Sequence, residues 1–159
     1  MNGVRIRLAT PADIPALVDL MESFYAESSY PLDRAWAARS FETLLAQPAL
    51  GAIWVADNGS LIGHAVLTVR YAMEFGALAA AIDDLFVHAG YRRQGVAYAL
   101  LAALLDDCSA RGCRSVYVEV GASNAGATAL YERFGLKPYE DDRITLHREL
   151  GFANNEMPT

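Results

Sequence analysis

The chain holds only two cysteines, Cys108 and Cys113, and three histidines, His64, His88 and His147, in 159 residues. Two cysteines cannot make a framework of bridges and their spacing matches no zinc pattern, so they read as core or incidental thiols. The histidines are scattered among expected strands without clustering, and no metal is assigned. No apolar run reaches the roughly 18 residues of a membrane span, so no membrane partner is expected. The opening MNGVRIRLATPAD lacks the apolar core of a secretory signal, which makes cytoplasmic the expected location. Positive charge is in deficit as well. Thirteen Lys and Arg against 19 Asp and Glu give a net charge of −6, which argues against a nucleic-acid partner because affinity for phosphate backbones is largely cationic. The same balance suits a cationic substrate. No Gly/Ser linker, low-complexity run or internal repeat divides the chain, and a single domain is expected over 1–150, followed by a polar tail over 151–159.

What is present is an abundance of apolar residues, 53% of the chain, with clear periodicities. Val4 to Leu8 alternates apolar and basic residues, as a half-exposed strand does. A helix follows: Thr10 can cap it, Pro11 fits its first turn, Asp13 stands three residues beyond the cap, and Leu17, Leu20, Met21 and Phe24 form its apolar stripe. The segment AESSYPLDRAW breaks the pattern at Tyr30-Pro31, and Asp33 caps a second helix of about 13 residues that ends before Pro48. This break is a candidate substrate entrance in which Tyr25, Glu27 and Tyr30 are placed to touch an amine; a polar loop with aromatic anchors would look the same. From residue 51 the pattern turns to β. AIWVAD and LIGHAVLTVRYAM flank Asn58-Gly59, a hairpin signal, and a turn near Glu74 to Gly76 leads into a third antiparallel strand.

That third strand opens the most informative stretch, Ala81 to Ala102. Ile82, Leu85, Phe86 and Val87 are apolar and β-prone, whereas Ala97, Leu100, Leu101, Leu104 and Leu105 recur at helical spacing. The period changes across Gly90 to Gln94. A helix starting there presents free N–H groups and partial positive charge to an anion. Arg92 and Arg93 add full charges, and Gly95 and Ala97 are small where a ligand must approach the main chain. Together they read as a pyrophosphate cradle. The helix from about Gln94 to Ala110 ends at Arg111-Gly112, and Ser115 to Val120 is again a strand, so the unit is a right-handed crossover between parallel strands. The carboxyl ends of both strands share the edge at which α/β sheets bind ligands. Beyond it, Asn124, Ala127, Tyr131 and Gly135 are spaced to share one helical face, with a glycine ending at Gly135 and Pro138 after it. RITLHREL reads as a last strand.

These residues resemble the GNAT superfamily of acetyl-CoA-dependent N-acetyltransferases. The acyl-CoA motif of that family is matched by Asp84-Leu85-Phe86-Val87 and then Arg92-Arg93-Gln94-Gly95-Val96-Ala97. Its second motif is matched by Asn124, Ala127, Tyr131, Gly135 and Leu136. The departures are Ala97 and Leu136, where Gly and Phe are commonest. The resemblance implies an α/β (α+β) fold: a mostly antiparallel twisted sheet with a central parallel pair splayed to hold acyl-CoA, flanked by about four helices. It implies acetyl-CoA as the acyl donor, with backbone groups of Leu85, Phe86 and Val87 on the pantetheine arm. It further implies amides of Arg93, Gln94, Gly95, Val96, Ala97 and Tyr98 on the pyrophosphate, and the Asn124 side chain on the pantetheine. A homodimer is compatible with such a fold.

The implied chemistry needs a neutral amine, a stabilised oxyanion and a protonated leaving thiolate. An alkyl amine with a pKa of ~10 must lose a proton before it attacks. Asp83 or Asp84 is the candidate base, directly or through water. A period-two strand puts the two on opposite faces, and the family pattern favours Asp83 for proton removal with Asp84 binding a cationic acceptor. Glu119 is a reserve. An amide near Phe86 or Val87 is a candidate oxyanion donor, and Tyr131 a candidate donor to the departing thiolate. The expected acceptor is a small-molecule primary amine such as an amino acid, diamine, polyamine or aminoglycoside. A peptide N-terminus or protein lysine is the alternative acceptor, and a non-catalytic acyl-CoA-binding module the alternative class.

Overall fold

The structure, a computed structural model, describes residues 3–138 together with Thr145, Leu146 and Arg148. The expected last strand over 143–150 falls largely outside the described residues, and the tail over 151–159 wholly so. Backbone contacts divide the chain into two units, Met1–Glu119 and Val120–Thr159.

In the first unit, β1 (Arg5–Leu8), β2 (Gly51–Asp57), β3 (Leu61–Ala72), β4 (Ala77–Val87) and β5 (Cys113–Val118) form one sheet in chain order. The first four pair antiparallel, and β5 joins β4 in parallel through the crossover helix α3 (Val96–Ala110). Asn58 and Gly59 turn the β2–β3 hairpin, with Gly59 at φ +104, where a side chain would be strained. β4 begins four residues before the expected start because Ala77 to Ala80 pair with β3, tertiary pairing overriding the weak strand preference of alanine. β5 stops at Val118, two residues early, and leaves Glu119 beyond the ladder.

Two helices, α1 (Ile14–Glu27) and α2 (Arg34–Ala46), cover one sheet face. Leu17, Val18, Met21, Ala37 and Phe41 pack against Ile53, Val55 and Val66. Thr10 and Asp13 make the expected capping pair, but Pro11 to Asp13 is a tight 3-10 turn that precedes α1. Asp13 accepts from both the N–H and the hydroxyl of Thr10 and also from Arg7, whose guanidinium reaches Asp57 as well. That network ties β1, β2 and the start of α1 together. Asp33 caps α2 by accepting from the Trp36 N–H. The stripe of α3, Val96, Leu100, Leu101, Leu104 and Cys108, is buried, and α3 covers the opposite face of the sheet. Burying apolar surface on both faces, at roughly 25 cal/mol per Å², is what makes the sheet central.

The second unit contains α4 (Ala125–Arg133). Asn124 and Gly135 bracket this helix and do not lie along its face. Asn124 is the N-cap, accepting from the Ala127 N–H, and Gly135 turns the chain at φ +80 while the Leu136 N–H bonds back to the Tyr131 carbonyl.

Candidate active site

The site is built where β4 and β5 part. Their parallel ladder runs from Leu78↔Cys113 to Ile82↔Val118 and stops, while β4 continues to Val87 against β3. The last five residues of β4 therefore have one edge without a strand partner among the described residues. Which groups point to that edge follows from the alternation of an antiparallel ladder. The His88 N–H bonds to the Ile62 carbonyl, and the register pairs Phe86 with His64 and Asp84 with Val66. The N–H and C=O groups of Phe86 and Asp84 are thus directed at β3, and those of Leu85 and Val87 at the open edge. The Val87 carbonyl is taken there by Arg92 Nε at 2.8 Å. The main-chain groups left for a ligand are the N–H and C=O of Leu85 and the N–H of Val87. Unpaired main-chain groups are costly when buried, so an extended polar arm laid along this edge would relieve them.

The register of β4 contains a second irregularity. Ile82 pairs with Leu67 and Asp84 with Val66, so Asp83 is an extra residue without an opposite number, a β-bulge. This corrects the simple alternation expected for the two carboxylates, because the period of two is interrupted at Asp83 itself. Asp84 lies partly covered on the face of α1, and Asp83 reaches the surface. Burial, and then the charge of Asp83, push the Asp84 carboxyl up to about 6. Surrounding protein and then Glu119 raise Asp83 as well. Tyr25 on α1 is raised by burial, then by Asp84 and Asp83. The fold thereby gathers Tyr25 of α1, Asp83 and Asp84 of β4 and Glu119 just beyond β5, all within the first unit. Among the described residues no Lys or Arg forms an ion pair with Asp83, Asp84 or Glu119.

The cradle turn precedes α3. Arg93 has φ +62 and Gly95, the N-cap of α3, has φ +84. Helical structure begins at Val96, one or two residues later than the periodicity indicates, because a left-handed Gly95 cannot propagate an α-helix. Glycine is required here by backbone angle. With α3 behind it, the turn offers main-chain donors and the positive end of a helix of 15 residues to an anion. Gln94 returns its side chain to the Gly90 carbonyl, and Arg92 is folded away from the turn. The charge of Arg92 is answered by Glu27, its guanidinium stands 5.5 Å from the centroid of the Phe86 ring, and Arg93 remains as the outward cation of the motif. Glu27, expected beside an amine, is thus engaged by Arg92, and Tyr30 is largely exposed.

One buried polar residue has no counterpart in the sequence-based expectations. His64 is wholly buried between Phe41 and Phe86, with neither ring nitrogen hydrogen-bonded, and burial holds it down to about 4. Its position in the alternating run LIGHAVLTV was the available signal, since it shares parity with Ile62 and Val66. In the second unit, Tyr131 is buried on α4, and the cap it follows engages Asn124 Oδ1. No helix among the described residues is long and apolar enough to cross a membrane.

A parallel ladder that stops while β4 runs on, a glycine turn onto a helix N-terminus and carboxylates beside the open edge are an arrangement able to hold an extended anionic ligand next to acidic side chains. The acetyltransferase (GNAT) family model matches residues 15–136, and the chain belongs to that family as an acetyl-CoA-dependent N-acetyltransferase. It is 30% identical over 123 residues to the ribosomal protein bS18-alanine N-acetyltransferase of Escherichia coli K12, covering 77% of this chain and 74% of that one. An integron cassette protein from the mobile metagenome of Cole Harbour Salt Marsh has a TM-score of 0.82 at 34% identity, covering 95% of this chain and 93% of the other. The ribosomal-protein-alanine N-acetyltransferase of Brucella melitensis biovar Abortus 2308 shares the fold, with a TM-score of 0.73 at 23% identity over 93% and 99% of the two chains. The mixed sheet with helices on both faces is the fold of this family.

Proposed function

We propose that the chain transfers acetyl from acetyl-CoA to the primary amine of a small cationic acceptor by direct attack in a ternary complex. The observation that carries this reading is Asp84: a partly covered carboxylate, raised to about 6, at a bulge beside the open edge of β4. A base titrating near working pH accepts a proton from an ammonium more readily than an ordinary carboxylate does and still spends most of its time ionised. Asp84 therefore takes the amine proton. Asp83 and Glu119, nearer solvent, draw the cation in, which reverses the roles that the family pattern favoured. Acetyl-CoA supplies an activated thioester.

The chain's own groups supply the rest. Leu85 and the Val87 N–H align the pantetheine arm, and the Val87 N–H is the better oxyanion donor than that of Phe86, whose amide is directed at β3. The main chain of Arg93 to Tyr98 takes the pyrophosphate. Asn124 Oδ1 is spent on its cap, so its NH2 is the group that reaches the pantetheine. Tyr131 donates to the departing thiolate. With ~10 for a phenol against ~8.5 for a thiol, this is a hydrogen bond that strengthens late and not a completed transfer.

A second reading, acetylation of a protein N-terminus, is favoured by the likeness to the alanine N-acetyltransferase of E. coli. Thiol release from acetyl-CoA across amino acids, diamines, polyamines, aminoglycosides and a peptide with an N-terminal alanine separates the two. Release with small amines alone supports the first reading, and release with the peptide alone replaces it with the second. Silence with all of them, while acetyl-CoA binds, overturns both readings of the acceptor.

A further inference from the structure

Glu27 and Arg92 lie 65 residues apart in sequence and meet at the junction of the two halves of the site. Glu27 is the last residue of α1, two positions after Tyr25, whose phenol feels the charges of Asp84 and Asp83. Arg92 stands between the end of β4 and the cradle turn. Its guanidinium makes three contacts at once. Nε donates to the Val87 carbonyl at 2.8 Å, Nη2 donates to Glu27, and the plane lies over Phe86 with 5.5 Å from Cζ to the ring centroid. Phe86 in turn packs on Phe24 of α1 at 5.4 Å between centroids. One side chain thus holds the final carbonyl on the open edge of β4, the carboxylate that ends α1 and the aromatic pair between them. The cation also lies at the C-terminal end of α1, where the helix dipole favours it.

We propose that Glu27 and Arg92 are positioning residues that couple the acetyl-CoA cradle to the acceptor side of the site. The inference rests on the cofactor placement given above. Cofactor on the amides after Arg92 orders the turn and the end of β4. Through Arg92 that order passes to the end of α1, which carries Tyr25 toward Asp84. The pair is not a device for stability, because both side chains are well exposed, 42% for Arg92 and 46% for Glu27, and exposed pairs contribute little. Its consequence is coupling. Glu27 then acts through Arg92, in place of the direct amine contact expected from its position in the loop.

The reporter is built into the fold. The N–H groups of Ser28, Ser29 and Tyr30 bond to the carbonyls of Tyr25, Ala26 and Tyr25 at 3.1, 3.1 and 3.0 Å, so their exchange with deuterium measures opening of the end of α1. Hydrogen exchange on the full chain, with and without saturating acetyl-CoA, tests the coupling without knowledge of the acceptor. In wild type, acetyl-CoA slows exchange at residues 28–30 by roughly fivefold or more. Glu27→Gln removes the charge pair, and Arg92→Gln removes the charge while keeping a donor for the Val87 carbonyl. Glu27→Gln binds acetyl-CoA within about twofold of wild type and loses the protection, Arg92→Gln loses the protection too, and the double variant loses no more of it than either single one. A merely structural pair would loosen residues 28–30 equally with and without cofactor. Protection retained in both variants, or absent from wild type with acetyl-CoA bound, overturns the proposal. So does a large loss of acetyl-CoA affinity in Arg92→Gln alone, which would make Arg92 a phosphate ligand. Failure of wild type to bind acetyl-CoA is a different result, removing the cofactor placement and this inference with it.

Discussion

Asp84 of β4 stands opposite Val66 of β3, whereas Asp83 beside it stands opposite nothing, because the ladder skips from Ile82↔Leu67 to Asp84↔Val66. One extra residue in one strand sets two adjacent carboxylates in one electrostatic field, in which the charge of Asp83 makes Asp84 harder to ionise. Burial is the larger cause of the raised proton affinity of Asp84, and the like charge of Asp83 adds to it.

Replacing Asp84 by Asn removes the proposed base while keeping its shape. Turnover falls by about 10²–10⁴-fold. In wild type the rate climbs with pH through about 6 as Asp84 ionises, and Asp84→Asn loses that limb. A pH–rate profile of both proteins with one active amine checks this, and an unchanged acid limb in the variant would assign it to another group.

Stability responds to pH through two neighbours of opposite sign. Asp84 rises from 3.8 to about 6 on folding, so between these values the folded state holds the extra proton and stability falls as pH increases. His64 drops from 6.5 to about 4, so over nearly the same window the unfolded state holds the extra proton and stability grows as pH increases. Each change corresponds to roughly 3 kcal/mol. Wild type is therefore flatter between pH 4 and 6 than either variant. Asp84→Asn gains stability as pH rises across that window, and His64→Leu loses it. Urea unfolding at half-unit pH steps measures the slopes, and parallel curves for all three proteins would refute the assignment.

Gly95 at φ +84 caps α3. Gly95→Ala forces a side chain into the left-handed region at a cost of roughly 1–2 kcal/mol, lowering the thermal midpoint by several degrees. Gly95→Glu adds a negative charge to the turn and abolishes measurable acetyl-CoA binding. Calorimetry with wild-type affinity for Gly95→Glu would move the pyrophosphate elsewhere.

Tyr131→Phe keeps the buried ring and removes the hydroxyl. The expected outcome is a drop in turnover of at least about tenfold, with acetyl-CoA affinity within about twofold of wild type, as for loss of an interaction made only in the transition state. Steady-state kinetics beside calorimetry decides it, and unchanged turnover would take Tyr131 out of the mechanism.

Local features carried most of the fold. The switch of period between Val87 and Val96, the Asn58-Gly59 hairpin, the Thr10 and Asp33 caps and the crossover to β5 all depend on neighbours within a few residues, and chemistry acting over that range is legible in a linear chain. The start of β4 was not, because Ala77 to Ala80 have no strand preference of their own and are held by β3. His64 looked like one polar residue in a strand, and only the rings of Phe41 and Phe86 on either side made it a buried neutral imidazole.

The sequence by itself determined the order of the elements, the cradle turn with its glycine and the presence of two adjacent carboxylates, since each is set by residue type and short-range geometry. Tertiary structure alone decided which main-chain groups of β4 are free, that Asp83 is unopposed, and that Glu27 faces Arg92. Those depend on register and on contacts between residues far apart in the chain. There the free energy of pairing and burial belongs to the partner as much as to the residue itself.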